Sequence, residues 1–176
     1  MPTRLIFIGL GSNQGDRSGH LGRAIEALHG RGLGTLLVSS LYRTDPVEVI
    51  DQEEFLNQVV GCETALSPEQ ILEVCLLAEQ SMGRQRTRDK GPRRIDLDLL
   101  LAGEDVREEA ALKVPHPRMH LRRFVLVPLV EIAPAAWHPV LRTTAAELLR
   151  ICPDRSRVER LDAPARESEE GPDFLL

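Results

Sequence analysis

Aromatic residues are scarce in this chain of 176 residues: four Phe, one Trp and one Tyr. A reader of single-stranded RNA stacks bases on aromatics of a sheet face, and no such cluster exists here. Lysine is almost missing too, present only as Lys90 and Lys113, and the formal net charge is −5. A general nucleic-acid binder presents a basic surface, so the charge argues against that class. Cys62, Cys75 and Cys152 are odd in number and lack metal-ligand spacing. Cys62 in a strand and Cys75 on a helix face read as buried free thiols. No apolar run reaches the roughly 18 residues of a membrane span, and the N-terminus lacks a signal-peptide profile. The chain therefore reads as soluble and cytoplasmic, with no membrane partner. It has no internal repeat, and without Gly-x4-Gly-Lys-Ser/Thr it is not a P-loop kinase.

What is present fits one globular domain. The residues are 42% apolar and 28% charged, enough to bury a core without disulfides or a structural metal. The domain is expected over 1–161, and the acidic stretch 162–176 reads as a disordered tail.

Along the chain, Arg4 to Leu10 is a short apolar run bounded by glycine, a first buried strand. Leu21, Ala24, Ile25 and Leu28 recur at helical spacing before Gly30, Gly32 and Gly34. Leu36 to Tyr42 predicts a second strand, Arg43 to Glu54 a polar loop, and Phe55 to Cys62 a third strand. Ser67-Pro68-Glu69-Gln70 opens a second helix with a capping box and proline at its first position. Its apolar stripe ends near Gly83, and a fourth strand follows at about 94–101. Short irregular pieces are expected over 104–125, and a short helix from Thr144, with Glu147 completing a second capping box. The order β-α-β-β-α-β predicts an α+β, ferredoxin-like antiparallel sheet with helices on one face and C-terminal additions.

The chemistry concentrates in residues 83–100. A Gly/Pro-broken loop carries Arg84, Arg86, Arg88, Lys90, Arg93 and Arg94, then enters a strand bearing Asp96 and Asp98. Side chains alternate along a strand, so both carboxylates share one face while Ile95, Leu97 and Leu99 face the core. Two carboxylates side by side repel unless a cation joins them, and Mg²⁺ uses one or two carboxylates plus substrate phosphates. Neighbouring guanidinium forks match phosphate oxygens. The combination points to metal-dependent phosphoryl chemistry on a nucleotide.

Eight blocks in one order then resemble the 6-hydroxymethyl-7,8-dihydropterin pyrophosphokinase family of folate synthesis. They are Gly9-Leu10-Gly11-Ser12-Asn13, Tyr42-Arg43-Thr44, Phe55-Leu56-Asn57, Gly83-Arg84-x-Arg86, Gly91-Pro92-Arg93-x-x-Asp96-Leu97-Asp98, Val114-Pro115-His116, Arg122-x-Phe124 and Glu131-Ile132-Ala133-Pro134. The resemblance implies transfer of pyrophosphate from ATP to the hydroxymethyl group of a reduced pterin, with two Mg²⁺ ions held by Asp96 and Asp98. It implies that Arg84 and Arg93 stabilise the transferring phosphates. Glu79, Arg86, Lys90, Leu99, His116 and Arg122 fall at nucleotide positions, and Thr44, Val47, Phe55, Asn57 and Phe124 at pterin positions. Lys90 stands where the family commonly has tryptophan. By residue type alone, Glu79 reads as a solvated helix residue, His116 as a turn former and Phe55 as strand core. Asn57 inside an apolar run is more telling, since a buried amide needs partners. His116-x-x-x-His120 has helical metal-ligand spacing, but Pro115 and Pro117 argue against a helix there. A monomer is expected. The competing readings are a nucleotidyltransferase, whose Gly-Ser and Asp-x-Asp lie close together, and a ferredoxin-like regulatory or RNA-binding module.

Overall fold

The computed structural model describes residues 2–34, 36–46, 53–83 and 94–161. Val47, Arg84, Arg86, Lys90, Arg93 and the acidic tail lie outside the described residues. The elements, in chain order, are β1 (Arg4–Ser12), α1 (Arg17–Gly30), β2 (Leu37–Val38), β3 (Tyr42–Thr44), β4 (Phe55–Thr64), α2 (Pro68–Ser81) and β5 (Asp96–Ala102). There follow β6 (Arg107–Glu108), β7 (Lys113–Val114), a 3-10 turn (Met119–Leu121), α3 (Arg123–Ile132), β8 (Trp137–His138), β9 (Thr143–Thr144), α4 (Ala145–Ile151) and β10 (Val158–Arg160).

The main sheet is antiparallel throughout, in the order β10-β3-β4-β1-β5, with β2 also paired to β4. The α+β class read from the sequence is met. On one face Ile6, Ile8, Leu10, Val60, Leu97 and Leu99 meet Leu21 and Leu28 of α1 and Ile71 and Cys75 of α2. The helix α2 starts as its sequence predicts: Gln70 N–H donates to Ser67 Oγ at 3.2 Å, and Ser67 N–H to Gln70 Oε1 at 2.9 Å. The opposite face carries a second core in which Phe7, Val59, Leu100 and Leu101 meet Leu126 and Leu129 of α3 and Leu148 of α4. All three cysteines are buried and free.

Three elements depart from expectation. The single strand over Leu36 to Tyr42 is two pieces, because Ser39 interrupts the ladder. Its Oγ accepts the Val59 N–H at 2.9 Å, and its carbonyl accepts the Gln58 side-chain amide at 2.8 Å. The helix α3 stands where only irregular pieces were expected up to 125. Pro128 sits inside it and removes one intrahelical donor, but Val125, Leu126, Pro128 and Leu129 are buried. Packing of that apolar face outweighs the missing bond. At α4, Thr144 Oγ1 accepts Glu147 N–H at 3.3 Å as predicted, while the Glu147 carboxylate turns outward to Arg150. No helix among the described residues is long and apolar enough to cross a membrane.

Candidate active site

The strand β5 does what its alternation predicts at its start. Asp96 and Asp98 are half-buried on the face opposite Leu97 and Leu99, whose side chains enter the α1–α2 core. Leu99, a nucleotide position by resemblance, therefore has its side chain on the far side of the sheet from both carboxylates. Across the ladder, Asp98 pairs with Gly9 and Asp96 with Gly11. Neither glycine has a side chain; a Cβ at Gly9 would meet the Leu100 side chain at 3.5 Å, and one at Gly11 would come within 2.9 Å of Asn57 Oδ1, so the Asn57 amide lies close to the backbone opposite Asp96.

Farther along, the alternation breaks. Phe7 pairs with Leu101 and Ile8 with Leu99, which leaves Leu100 as the extra residue of a bulge. Leu100 and Leu101 consequently both join the second core. The freed Leu100 carbonyl accepts the His116 N–H at 2.9 Å. This bond, after β7 and the cis Val114–Pro115 peptide, brings His116 within the field of Asp96.

Burial pushes the His116 imidazole down to about 4, helped by the Arg122 and Arg118 cations and opposed by Asp96. The ring is neutral at physiological pH. Its Nδ1 accepts the Arg118 N–H at 3.1 Å, which assigns the proton to Nε2. The turn-forming reading of His116 is thus met, and Nε2–H remains a donor.

Glu79 is buried, only 3% exposed, and not solvated as its residue type suggests. Its Oε1 accepts the Leu97 N–H at 2.9 Å, on the outer edge of β5. A helix carboxylate thereby holds the strand at the residue between the two aspartates. Cys75, one turn earlier on α2, is pushed up to about 12 by burial and by the charges of Glu79 and Asp98, so it is an inert thiol.

On the other side of β1, Gly11 pairs with Asn57 of β4. Asn57 is buried and donates from Nδ2 to Thr44 Oγ1 at 2.6 Å. Thr44 is the register partner of Phe55, so Thr44, Phe55 and Asn57 stand together at one end of the sheet. Phe124 opens α3, and the Arg122 guanidinium lies over its ring, 5.6 Å from the centroid. At the far end of α3, Glu131 accepts Ser40 N–H and Oγ–H at 2.8 Å each and also the Tyr42 hydroxyl, tying the helix to β3.

Gly9, Gly11, Tyr42 and Glu131 were legible only as members of motif blocks with no role of their own, since what each does depends on partners across the sheet. His120 falls in the 3-10 turn, with its ring edge-on to His138 at 6.4 Å between centroids, so the His116–His120 helical pairing is not formed. Among the described residues no group of three or more His, Cys, Asp or Glu side chains forms a metal centre. Two half-exposed carboxylates on one strand face still suit a hard cation that draws its other ligands from phosphate and water. An apolar groove at the opposite end of the sheet, walled by Leu5, Leu37, Ile132 and Ala133, offers no charged group to a phosphate.

A family model described as 7,8-dihydro-6-hydroxymethylpterin-pyrophosphokinase matches residues 7–134, the stretch that carries Thr44, Asn57, Glu79, Asp96, Asp98, His116 and Phe124. The chain belongs to that family. It is 46% identical over 131 residues to the 2-amino-4-hydroxy-6-hydroxymethyldihydropteridine pyrophosphokinase of Bacillus subtilis, covering 74% of this chain and 78% of that protein. Its identity to the Pseudomonas aeruginosa protein of the same name is 38% over 157 residues, covering 89% and 96% of the two chains. The folic acid synthesis protein fol1 of Schizosaccharomyces pombe is 39% identical over 154 residues, but the match spans only 21% of its length. Among solved structures, Plasmodium falciparum HPPK-DHPS with pteroate superposes with a TM-score of 0.68 at 15% identity. That match covers 85% of this chain and 44% of the Plasmodium chain, and it establishes likeness of fold. The pyrophosphokinase resemblance read from the sequence, and the enzyme class that goes with it, agree with these relatives.

Proposed function

We propose that the chain transfers the pyrophosphoryl group of ATP to the hydroxymethyl oxygen of 6-hydroxymethyl-7,8-dihydropterin, releasing AMP, as a step of folate biosynthesis. The observation that carries this reading is the pairing of Asp96 and Asp98 with Gly11 and Gly9, beside the buried Asn57–Thr44 pair. It joins an acidic ledge to an amide-lined floor on one sheet face. Asp96 and Asp98 would hold two Mg²⁺ ions, which would supply positive charge to neutralise the phosphate oxygens.

The chain's own residues do the rest. Asn57, oriented by Thr44, presents its amide oxygen to the donor edge of the pterin, and Phe55 and Phe124 supply apolar surface for the ring. Val47 belongs to the same pocket by resemblance. His116 donates Nε2–H to a phosphate oxygen without adding charge. Arg84 and Arg93 stabilise charge on the transferring group, and Arg86, Lys90 and Arg122 hold the nucleotide. Leu99 contributes backbone to the nucleotide site, since its side chain is in the core. Glu79 acts through the Leu97 N–H. The sheet is of the ferredoxin-like kind, and the working form is a cytoplasmic monomer.

Product analysis tests this reading. Protein mixed with ATP, Mg²⁺ and 6-hydroxymethyl-7,8-dihydropterin should give pterin-dependent AMP without free pyrophosphate. ADP would make it an ordinary kinase, and no nucleotide turnover would leave a binding module with the family's fold.

A further inference from the structure

The first turn of α3 has no cap of its own. Arg122 is its N-cap residue and makes no side-chain capping bond, so the first amides of the helix look elsewhere for acceptors. The acceptor comes from the segment after α4: Arg123 N–H donates to Asp154 Oδ2 at 2.9 Å. The other oxygen, Oδ1, accepts Ser156 N–H at 2.9 Å, which fixes the carboxylate. Buried Cys152, two residues earlier, anchors this segment in the second core. Asp154 thus lies beyond residue 134, where the family match ends, yet it holds the amide between Arg122 and Phe124.

We propose that Asp154 is a positioning residue for the reaction: by capping Arg123 N–H from a distance it sets the Arg122 guanidinium and the Phe124 ring at the two substrates. The inference rests on the function proposed above. A carboxylate at a helix N-terminus satisfies an orphan donor and complements the helix dipole. Without it the first turn frays, and Arg122 and Phe124 lose their stacked arrangement together.

The test is a mutant cycle read as KM against kcat at a temperature where every variant is folded. Asp154→Ala should raise KM for both ATP and the pterin by about fivefold, the factor that corresponds to loss of a helix cap. The value of kcat should change by less than about twofold, and Asp154→Asn, with an amide oxygen that also caps, should stay near wild type. Arg123→Pro removes the amide that Asp154 serves. Proline suits the first helical position, and Arg122 already has the extended φ −122°, ψ 103° that a following proline requires. Arg123→Pro should raise both KM values by no more than Asp154→Ala does, and adding Asp154→Ala to it should change nothing further. Equal KM increases from Asp154→Ala in both backgrounds, or none in either, would overturn the inference. A wild-type protein that makes no pterin-dependent AMP would instead remove the functional reading beneath it.

Discussion

Glu79 and Leu97 are joined by one buried hydrogen bond, 2.9 Å from the backbone N–H of Leu97 to Oε1 of Glu79. Because β5 is the edge of the sheet, that N–H has no strand partner, and the helix carboxylate takes its place. Glu79→Ala leaves a buried donor unpaired, a loss of about 1–3 kcal/mol. Glu79→Gln keeps an acceptor oxygen and should lose much less. Urea unfolding of both variants checks this, with turnover following the same order. Equal damage from Gln and Ala would show that the negative charge, and not the bond, is what matters.

The two aspartates that this bond holds should reveal a divalent cation through turnover and through the melting temperature. Asp96→Asn or Asp98→Asn should lower turnover by on the order of 10²-fold or more, the scale of losing one preorganised electrostatic contact in a transition state. Adding Mg²⁺ should raise the melting temperature of the wild type through binding to the folded state, and should raise that of the variants less. Thermal melts with and without Mg²⁺ decide it: an equal shift in all three proteins would place the cation elsewhere.

The parts of this site that sequence made legible are those with local causes. The 3.6-residue recurrence of Leu21, Ala24 and Leu28, the Ser67–Gln70 box, and the two-residue alternation through Asp96 and Asp98 are each complete within a few positions. What stayed hidden depends on distant partners. The helix α3 takes its cap from a residue 31 positions away, contains Pro128, and has no polar stripe that would mark its period. The bulge at Leu100 that anchors His116 arises from register with β1, and nothing in Leu99-Leu100-Leu101 announces it. Glu79 looks like any surface glutamate until β5 is laid against α2.

Tyr42 is the only tyrosine of the chain, so its titration can be read directly. Burial first, then its hydrogen bond to Glu131 and the Glu131 charge, push the phenol up to about 12. The unfolded chain releases this proton near 10. Between about pH 10 and 12 the folded state binds the extra proton, so this contribution is intact below 10 and lost as pH rises through 12. Alkaline ultraviolet titration of the folded protein should have its midpoint near 12. The difference in stability between wild type and Tyr42→Phe should shrink over the same window. A folded midpoint near 10 would break the link between α3 and β3.

Gly11 sets the last expectation, because its neighbours leave no room for even a methyl group. A Cβ there would lie 2.9 Å from Asn57 Oδ1 and 3.7 Å from Phe55 Cδ1. Gly11→Ala should push the amide away and strain its 2.6 Å bond to Thr44. A disturbed buried amide corresponds to a loss of about 1–3 kcal/mol, or roughly a tenfold or greater rise in the pterin dissociation constant. Nucleotide affinity should hold, since the change faces Asn57 and Phe55. Gly9→Ala is the comparison, because its Cβ would first meet the Leu100 side chain, at 3.5–3.7 Å, an ordinary contact, and should leave stability unchanged. Fluorescence titration with the pterin and with a non-hydrolysable ATP analogue separates the two affinities. If Gly11→Ala binds pterin as tightly as wild type, the ring does not rest on Asn57, and the slot must be sought away from this end of β1.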